Sequence, residues 1–136
     1  METMKSILIA ASGMRAQAER MRVIAENLAN ASSTAEAPDE DPYRRQIPIF
    51  KAELDRATGT QTVRVTGVVK DNSDFNEQYM PGHPAADERG YVKTPNVNSL
   101  VEMMDMREAQ RAYEANLNVI DNTRTMMART VDLLKR

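Results

Sequence analysis

The chain contains one histidine, His83, and no cysteine. A hydrolytic triad needs a histidine held by a carboxylate beside its nucleophile, and a zinc site needs several histidine, cysteine or carboxylate ligands. His83 stands between Gly82 and Pro84, a turn-like setting that supplies no second ligand. We therefore predict no catalytic residue and no metal ligand at this position.

Carboxylates are concentrated in the segment AEAPDEDP, residues 35–42. An EF-hand calcium loop needs oxygen ligands at alternating positions around a central glycine, and this segment has neither. Gly59 and Gly67 are isolated, so no glycine-rich loop is present to hold a phosphate group. The pattern predicts a solvated acidic linker, no cofactor and no enzymatic activity.

Charge and hydropathy limit the partners and the compartment. The formal net charge of −2 over 136 residues argues against a nucleic-acid partner. The apolar run at residues 7–11 is shorter than the roughly 7–15 residues of a secretory signal core. No segment approaches the roughly 20 apolar residues of a membrane span. We predict a soluble chain with no cleaved signal peptide and no membrane span.

The first 30 residues predict a long helix. Apolar side chains recur there at alternating intervals of three and four, which is typical of a helix that packs against another helix. Asn30 and the Ala-Ser-Ser-Thr segment after it predict the end of this helix, because asparagine tolerates the left-handed conformation of a cap. The repeating positions are Met4, Ile7, Ala11, Met14, Ala18, Met21, Ala25 and Leu28, and Ile24 widens the stripe.

A second long helix is predicted from Ser99 to the end of the chain. In the sequence SLVE, residues 99–102, the serine and the glutamate have the spacing of a capping box. No glycine or proline follows Ser99. Its apolar positions are Met103, Met106, Ala109, Tyr113, Leu117, Ile120, Met127, Val131 and Leu134, and Gln110, Asn116 and Arg124 interrupt them.

Residues 35–98 predict a small β-rich insert. The segment QTVRVTGVVK, residues 61–70, alternates apolar and polar side chains as a strand does, with Gly67 as a bulge. Residues 47–54 predict a shorter edge strand broken by Pro48. Residues 71–98 are predicted to be a loop, because they contain three prolines and two glycines.

Together these segments predict a mainly α fold with a small β-rich insert. The N-terminal helix would occupy residues 1–34, the insert 35–98 and the C-terminal helix 99–136. The helices would pack as an antiparallel coiled-coil pair whose length exceeds what the insert can cover. Uncovered apolar stripes mark a partner surface, and head-to-tail contacts between copies build a helical tube. Periodicity alone equally allows a small monomeric or dimeric helical bundle.

Both ends of the chain resemble the flagellar basal-body rod and hook proteins. Residues 10–34, which include NLAN at 27–30, are similar to the N-terminal signature of that family. Residues 90–127 are similar to its C-terminal block. Within that block, PNVN at 95–98 and YEAN at 113–116 are similar to the proximal-rod members.

The resemblance implies a non-enzymatic structural subunit of the proximal rod. Such subunits leave the cell through the flagellar type III export apparatus without signal-peptide cleavage. They polymerise in the periplasm into a hollow rod that transmits torque, and their terminal helices line the export channel. The expected partners are copies of this chain, other rod subunits, the inner-membrane ring at the rod junction and the export apparatus. The alternatives are another rod-family subunit, or a soluble helical adaptor or secretion chaperone.

The resemblance also favours particular positions for contacts between subunits. Asn27 is predicted to set the register between packed helices, as a buried asparagine does in coiled coils, although solvent-exposed helix capping stays open. Asn30 is assigned to a cap. The predicted subunit-packing residues are Ile7, Ala11, Met14, Met21, Ile24, Asn27, Leu28, Met106, Tyr113, Asn116, Leu117, Ile120, Met127, Val131 and Leu134.

Overall fold

A computed structural model describes residues 2–135. Long helices occupy both ends and short strands occupy the middle, so the predicted mainly α fold class is confirmed. The elements in chain order are α1 (Glu2–Ala29), β1 (Gln46–Asp55), β2 (Thr60–Lys70), β3 (Asn76–Tyr79), β4 (Tyr91–Thr94) and α2 (Ser99–Leu134).

Helix α1 ends at the predicted place but not in the predicted conformation. The backbone N–H and the side-chain Nδ2 of Asn30 both donate to the carbonyl of Glu26, at 3.1 and 2.8 Å. The Ser33 hydroxyl donates to the Asn30 carbonyl at 2.8 Å. Among residues 2–135, positive φ angles occur only at glycines. The left-handed cap expected at Asn30 is therefore wrong, because side chains satisfy the free carbonyls instead.

Helix α2 begins at Ser99, as predicted, but a different residue caps it. The side-chain Oδ1 of Asn98 accepts the backbone N–H groups of Leu100 and Val101, at 3.1 and 3.3 Å. Asn98 is thus the N-cap. The Glu102 side chain is only 1% exposed and bonds to other partners. The predicted capping box of Ser99 and Glu102 is therefore wrong.

Strands β1 and β2 form a two-stranded sheet joined by a tight turn. At that turn Gly59 has a φ of 69°, and its N–H donates to the Asp55 carbonyl at 2.7 Å. Strand β1 continues through Pro48 without the predicted interruption. A two-stranded sheet has an open edge on each strand, which is where a proline without an N–H is tolerated.

The segment 71–98, predicted to be a loop, contains a second hairpin. Strand β3 pairs antiparallel with β4, with Asn76 opposite Thr94 and Tyr79 opposite Tyr91. After β3, the Met80 N–H donates to the Gly90 carbonyl at 2.9 Å. Strands of four residues show too little alternation to be recognised among prolines and glycines, which explains the error.

The chain divides into two compact units. The terminal unit comprises Met1–Met21, Ile49–Gly67 and Arg107–Arg136, and the insert unit comprises Arg22–Pro48 and Val68–Met106. Each unit therefore contains part of α1, part of α2 and part of the β1–β2 hairpin. The division into segments 1–34, 35–98 and 99–136 stays a prediction.

The two helices pack together in opposite directions. In the terminal unit, Gly13 lies against Asn116, and Arg20 lies 3.7 Å from Glu108. Residue numbers therefore increase along α1 while those of the contacted residues on α2 decrease, as in an antiparallel pair. In the insert unit, Asn27 of α1 contacts Glu102 of α2. The predicted packing of two long terminal helices is confirmed.

Candidate assembly site

In the terminal unit, α1 and α2 meet through small side chains. A Cβ atom at Gly13 would lie 2.7 Å from Nδ2 of Asn116, so the missing side chain permits this close approach. Small side chains bury little apolar area, so this contact contributes little hydrophobic stabilisation. The buried helical residues of this unit are Ala10, Ser12, Ala16, Ala109 and Thr123.

Many bulky apolar side chains of the terminal unit remain exposed, above all on α2. On α2 the exposed fraction is 39% at Leu117, 50% at Val131 and 81% at Leu134. Burying one such side chain is worth about 1.5–3 kcal/mol, so a helix that exposes several of them is suited to contact with a partner. The exposed apolar stripe of α2 comprises Leu117, Val119, Met126, Met127, Val131, Leu133 and Leu134.

The residues predicted to pack between subunits differ in exposure. Ile24 and Asn27 are buried inside the insert unit. The structure contains one chain, so the contacts of all these residues with other subunits stay a prediction. Leu117, Met127, Val131 and Leu134 are exposed, and Ile7, Ala11, Met14, Met21, Leu28, Met106, Tyr113, Asn116 and Ile120 are half-buried.

The face of α1 that contacts α2 is offset by one residue from the predicted apolar repeat. Small and polar residues at heptad spacing form this contact, and the bulky residues beside them are left half-buried. A hydrophobic repeat cannot reveal such a contact. The repeat passes through Met14, Met21 and Leu28, whereas Gly13, Arg20 and Asn27 each contact α2.

A groove of about 640 Å³ runs between α1 and the β1–β2 hairpin in the terminal unit. The hydroxyl of Ser12 accepts the backbone N–H of Val63 at 3.3 Å, which ties the hairpin to the helix. Apolar and charged side chains both face the groove, so it is a second uncovered surface of this unit. Its lining includes Leu8, Arg15, Glu19, Leu54, Arg64 and Val65.

In the insert unit, the side chain of Asn27 pairs with the backbone of β1. Its Nδ2 donates to the Gln46 carbonyl and its Oδ1 accepts the Gln46 N–H, both at 2.9 Å. The Oδ1 also accepts the Tyr43 hydroxyl at 2.7 Å, and Nδ2 donates to Glu102 at 3.4 Å. The amide uses all four of its hydrogen-bonding positions. Asn27 therefore joins α1 to β1 as well as to α2, and its role in setting helix register stays a prediction.

The carboxylate of Glu102 is 1% exposed and is paired with Arg45. The Nε of Arg45 donates to Oε1 of Glu102. Its other guanidinium nitrogens lie 3.3 Å from the carboxylate of Asp71 and 3.9 Å from that of Asp105. A buried charge is tolerated only when it is paired and hydrogen-bonded. Within residues 2–135, every buried side-chain nitrogen and oxygen has a partner.

Asn96 connects these groups to the segment after β2. Its Oδ1 accepts the backbone N–H of Arg45 at 2.7 Å, and its Nδ2 donates to the carbonyls of Asp71 and Ser73 at 3.0 and 3.1 Å. Side chains from both helices and from three connecting segments thus form one network. The polar cluster is defined as Asn27, Tyr43, Arg45, Asp71, Asn96 and Glu102.

Besides Arg45, whose pKa is raised, two members of the polar cluster have shifted pKa values. Burial raises the pKa of Tyr43, with smaller contributions from the charges of Glu26 and Glu102, so its hydroxyl stays protonated and donates to Asn27. Hydrogen bonds from Ser73 lower the pKa of Asp71, and Arg45 lowers it further. Both shifts favour the protonation states that the network requires.

Sequence reasoning missed most of the polar cluster. It selected Asn27 for its place in the α1 signature, but Tyr43, Arg45 and Asp71 stand in connections where no periodicity marks a buried residue. Glu102 was assigned to a cap because its spacing from Ser99 fits one. The available signals were family-like segments: PNVN at 95–98 contains Asn96, and DPYRR at 41–45 contains Tyr43 and Arg45.

His83 has structural partners. Its Nδ1 accepts the N–H of Ala85 at 2.9 Å, so Nε2 carries the hydrogen and donates to the Thr34 hydroxyl at 3.1 Å. In the acidic linker, Asp41 lies 3.5 Å from Lys93. Over residues 2–135, no group of three or more histidine, cysteine or carboxylate side chains is placed to hold a metal ion. In the same range, neither helix is sufficiently long and apolar to cross a bilayer.

Two known protein families match the two ends of this chain. The model of the flagella basal body rod protein matches residues 7–35, which include all but the start of α1. The model of the flagellar basal body rod FlgEFG protein C-terminal region matches residues 88–133, which include most of α2. These matches define the class as flagellar rod proteins, and the resemblance expected from residues 10–34 and 90–127 is confirmed.

Similar proteins cover almost the whole chain. The flagellar basal-body rod protein FlgC of Agrobacterium fabrum is 53% identical over 127 residues, which are 93% of this chain and 91% of the relative. The FlgC proteins of Salmonella typhimurium and Borreliella burgdorferi are 39% and 40% identical. Their alignments cover 92% and 96% of this chain and the same shares of the relatives. The chain therefore belongs to the FlgC family of flagellar basal-body rod proteins.

Family membership decides the broad function. The chain is a structural, non-enzymatic subunit of the flagellar basal-body rod, and it assembles with other rod proteins. This finding excludes the alternative of a soluble adaptor or secretion chaperone. It leaves the specific partners, the contact residues and the export route to be inferred.

Proposed function

We propose that the chain polymerises through its two terminal helices into the helical tube of the proximal rod, where these helices line the export channel and transmit torque. The observation that supports this proposal most directly is the exposed apolar stripe of α2. The α1–α2 contacts of the terminal unit include small and polar side chains, and several bulky apolar side chains of α2 are left exposed for neighbouring subunits.

The partners follow from the same proposal. Copies of this chain and other rod subunits cover the apolar stripe of α2 and the half-buried repeat of α1. The inner-membrane ring at the rod junction contacts the first subunits of the rod. The type III export apparatus carries the chain into the periplasm without cleavage of a signal peptide, and the absence of cysteine suits passage through a narrow channel as an unfolded chain.

The most direct test replaces exposed residues, because such substitutions leave the stability of the folded subunit unchanged. Met127→Asp and Leu134→Asp place a charge on the apolar stripe, and each is expected to abolish incorporation into isolated basal bodies and swimming. Met127→Leu keeps the apolar volume and is the matched control, expected to assemble normally. Cellular level and urea unfolding of each purified variant should equal those of the parent chain.

Two further variants test the predicted packing positions that are half-buried. Leu28→Asp and Ile120→Asp should also block incorporation while expression continues. Normal rods and normal swimming with the charged variants at positions 28, 120, 127 and 134 would overturn the proposed contacts. Normal assembly of the Met127→Asp variant alone would remove that position from the interface.

A further inference from the structure

Every sulfur atom of this chain belongs to a thioether, because the sequence has ten methionines and no cysteine. Within residues 2–135 the methionines fall into two groups by exposure. The exposed ones are Met4 and two adjacent pairs on α2, Met103–Met104 in the insert unit and Met126–Met127 in the terminal unit. The half-buried ones are Met14, Met21, Met80 and Met106. A reagent that attacks methionine therefore meets accessible sulfur mainly on α2.

Methionine has a defined reaction with two-electron oxidants such as hydrogen peroxide. The lone pair of the sulfur attacks one peroxide oxygen, the O–O bond breaks and an S–O bond forms. The sulfur is oxidised to a sulfoxide, and the departing hydroxide takes up a proton and becomes water. One peroxide is thus reduced for each methionine oxidised. The product is a polar side chain, and its new oxygen needs a hydrogen-bond donor if it is to be buried.

The pair Met126–Met127 lies in the exposed apolar stripe of α2, which the proposed function buries against neighbouring subunits. Met126 is 62% exposed and Met127 is 38% exposed. The hydroxyl of Thr130, one turn further along α2, already donates to the Met126 carbonyl at 2.9 Å, so it is not available to a sulfoxide oxygen. A sulfoxide among the apolar side chains of the stripe would be buried without this donor, which disfavours the contact.

We propose that Met126 and Met127 form an oxidation-sensitive site that controls whether a free subunit can join the rod. A two-electron oxidant converts the two thioethers to sulfoxides while the subunit is unassembled, and the oxidised stripe no longer packs against a neighbour. Enzymatic reduction of the sulfoxides restores the apolar surface. Neighbouring subunits cover the pair after assembly and protect it. The effect on incorporation rests on the proposed function, whereas oxidation of the free chain does not.

Peroxide treatment of the purified, monomeric full-length chain tests the accessibility of the site. Peptide mass spectrometry over time should show Met126 oxidised at least about threefold faster than Met14, Met21 and Met106. In isolated basal bodies, Met126 and Met127 should be oxidised at least about tenfold more slowly than in the free chain. Oxidation of Met126 no faster than that of the half-buried methionines would overturn the site. Undiminished oxidation in the rod would overturn its protection by neighbours.

Glutamine variants test whether a polar side chain at the site blocks assembly. Met126→Gln combined with Met127→Gln should lower the amount of the chain in isolated basal bodies at least about tenfold. Met103→Gln combined with Met104→Gln is the matched control, because it makes the same change at the other exposed pair on α2, and it should lower the amount less than about twofold. Urea unfolding of the purified variants shows whether each chain still folds. No loss with the first double variant, or an equal loss with both, would overturn the site.

A peroxide pulse given to growing cells tests the oxidation itself. The amount of newly made chain in isolated basal bodies is compared with that of the same variant without peroxide. The parent chain should fall at least about fivefold, and so should Met103→Leu combined with Met104→Leu. Met126→Leu combined with Met127→Leu removes both thioethers and keeps the side chains apolar, so it should fall less than about twofold. Equal falls in all three would overturn the assignment to Met126 and Met127.

The inference and the proposed function fail in different ways. If Met127→Asp and Leu134→Asp block incorporation but the glutamine pair does not, the stripe is an interface and its oxidation sensitivity is wrong. If the charged variants also assemble normally, the proposed contacts fail, and the effect of oxidation on incorporation fails with them.

Discussion

The insert unit and the terminal unit contain segments of the same two helices, yet they bury different kinds of side chain. In the insert unit, Val23 and Val92 are completely buried and Glu102 is 1% exposed. In the terminal unit, Ala16 and Ala109 are buried while Ile9 and Val131 are about half exposed. Both units expose bulky apolar side chains, such as Leu100 at 68% in the insert unit and Leu134 at 81% in the terminal unit, but only the insert unit also buries bulky helical side chains completely.

Under the proposed assembly, one pair of helices serves both the folding of the subunit and its contacts with neighbours. Bulky residues directed at the insert stabilise the subunit. Small residues between the helices let them approach closely, and bulky residues of the terminal unit such as Val131 and Leu134 stay exposed. Substitutions at matched positions in the two units should therefore affect different properties of the protein.

The largest expected effect on the free subunit comes from Arg45→Ala in the insert unit. The substitution leaves Glu102 buried without a counter-charge, which typically costs about 3–5 kcal/mol. Urea unfolding followed by circular dichroism measures the loss. The control is Arg64→Ala in the terminal unit, where Arg64 and its partner Glu53 are both more than half exposed. That control should cost less than about 1 kcal/mol, and equal losses would refute the contrast between the units.

A pair of isoleucines on α1 gives the most direct comparison of apolar burial. Ile24 is 4% exposed in the insert unit and Ile9 is 45% exposed in the terminal unit. Ile24→Ala should lower the free energy of unfolding of the monomer by about 2–4 kcal/mol. Ile9→Ala should lower it by under about 1 kcal/mol and should reduce rod incorporation instead. The contrast would be wrong if both variants destabilised the monomer alike.

The close approach of the helices predicts a smaller, coupled effect in the assembled rod. Gly13→Ala should reduce incorporation because the added Cβ meets Asn116, and Asn116→Ala in the same chain should restore it. The coupling is expected to be about 1 kcal/mol, or roughly fivefold in the incorporated fraction. Gly67→Ala is the matched control, because the space around Gly67 is open. Additive effects of the substitutions at 13 and 116 would show that the two residues do not touch.

The smallest expected effect is a loss of folding stability as the pH falls. The folded insert unit lowers the pKa of Asp71 below its ordinary 3.8. The stabilisation is therefore complete above that value and is lost as pH falls through the lowered pKa. Between pH 6 and pH 3, the urea midpoint of the parent chain should fall further than that of the Asp71→Asn variant. If the urea midpoints of the parent chain and the Asp71→Asn variant fell equally, Asp71 would contribute nothing to the acid sensitivity.

Some features of the fold were predictable because they depend on local spacing. The alternation at residues 61–70 predicted β2, and the absence of glycine and proline after Ser99 predicted the long α2. The second hairpin was missed because β3 and β4 are short and stand among turn residues. Ser99 and Glu102 fitted a capping box by spacing alone, but the buried partner Arg45, far away in sequence, determines where the glutamate lies.

The sequence by itself determined that both ends of the chain are long helices and that they carry the signatures of the rod family. These properties depend on the order of residues along one element. Only the tertiary structure decided which face of each helix is buried, because a heptad of Gly13, Arg20 and Asn27 has no hydrophobic signal. It also decided that each helix divides between two units, because burial depends on which segments meet in space.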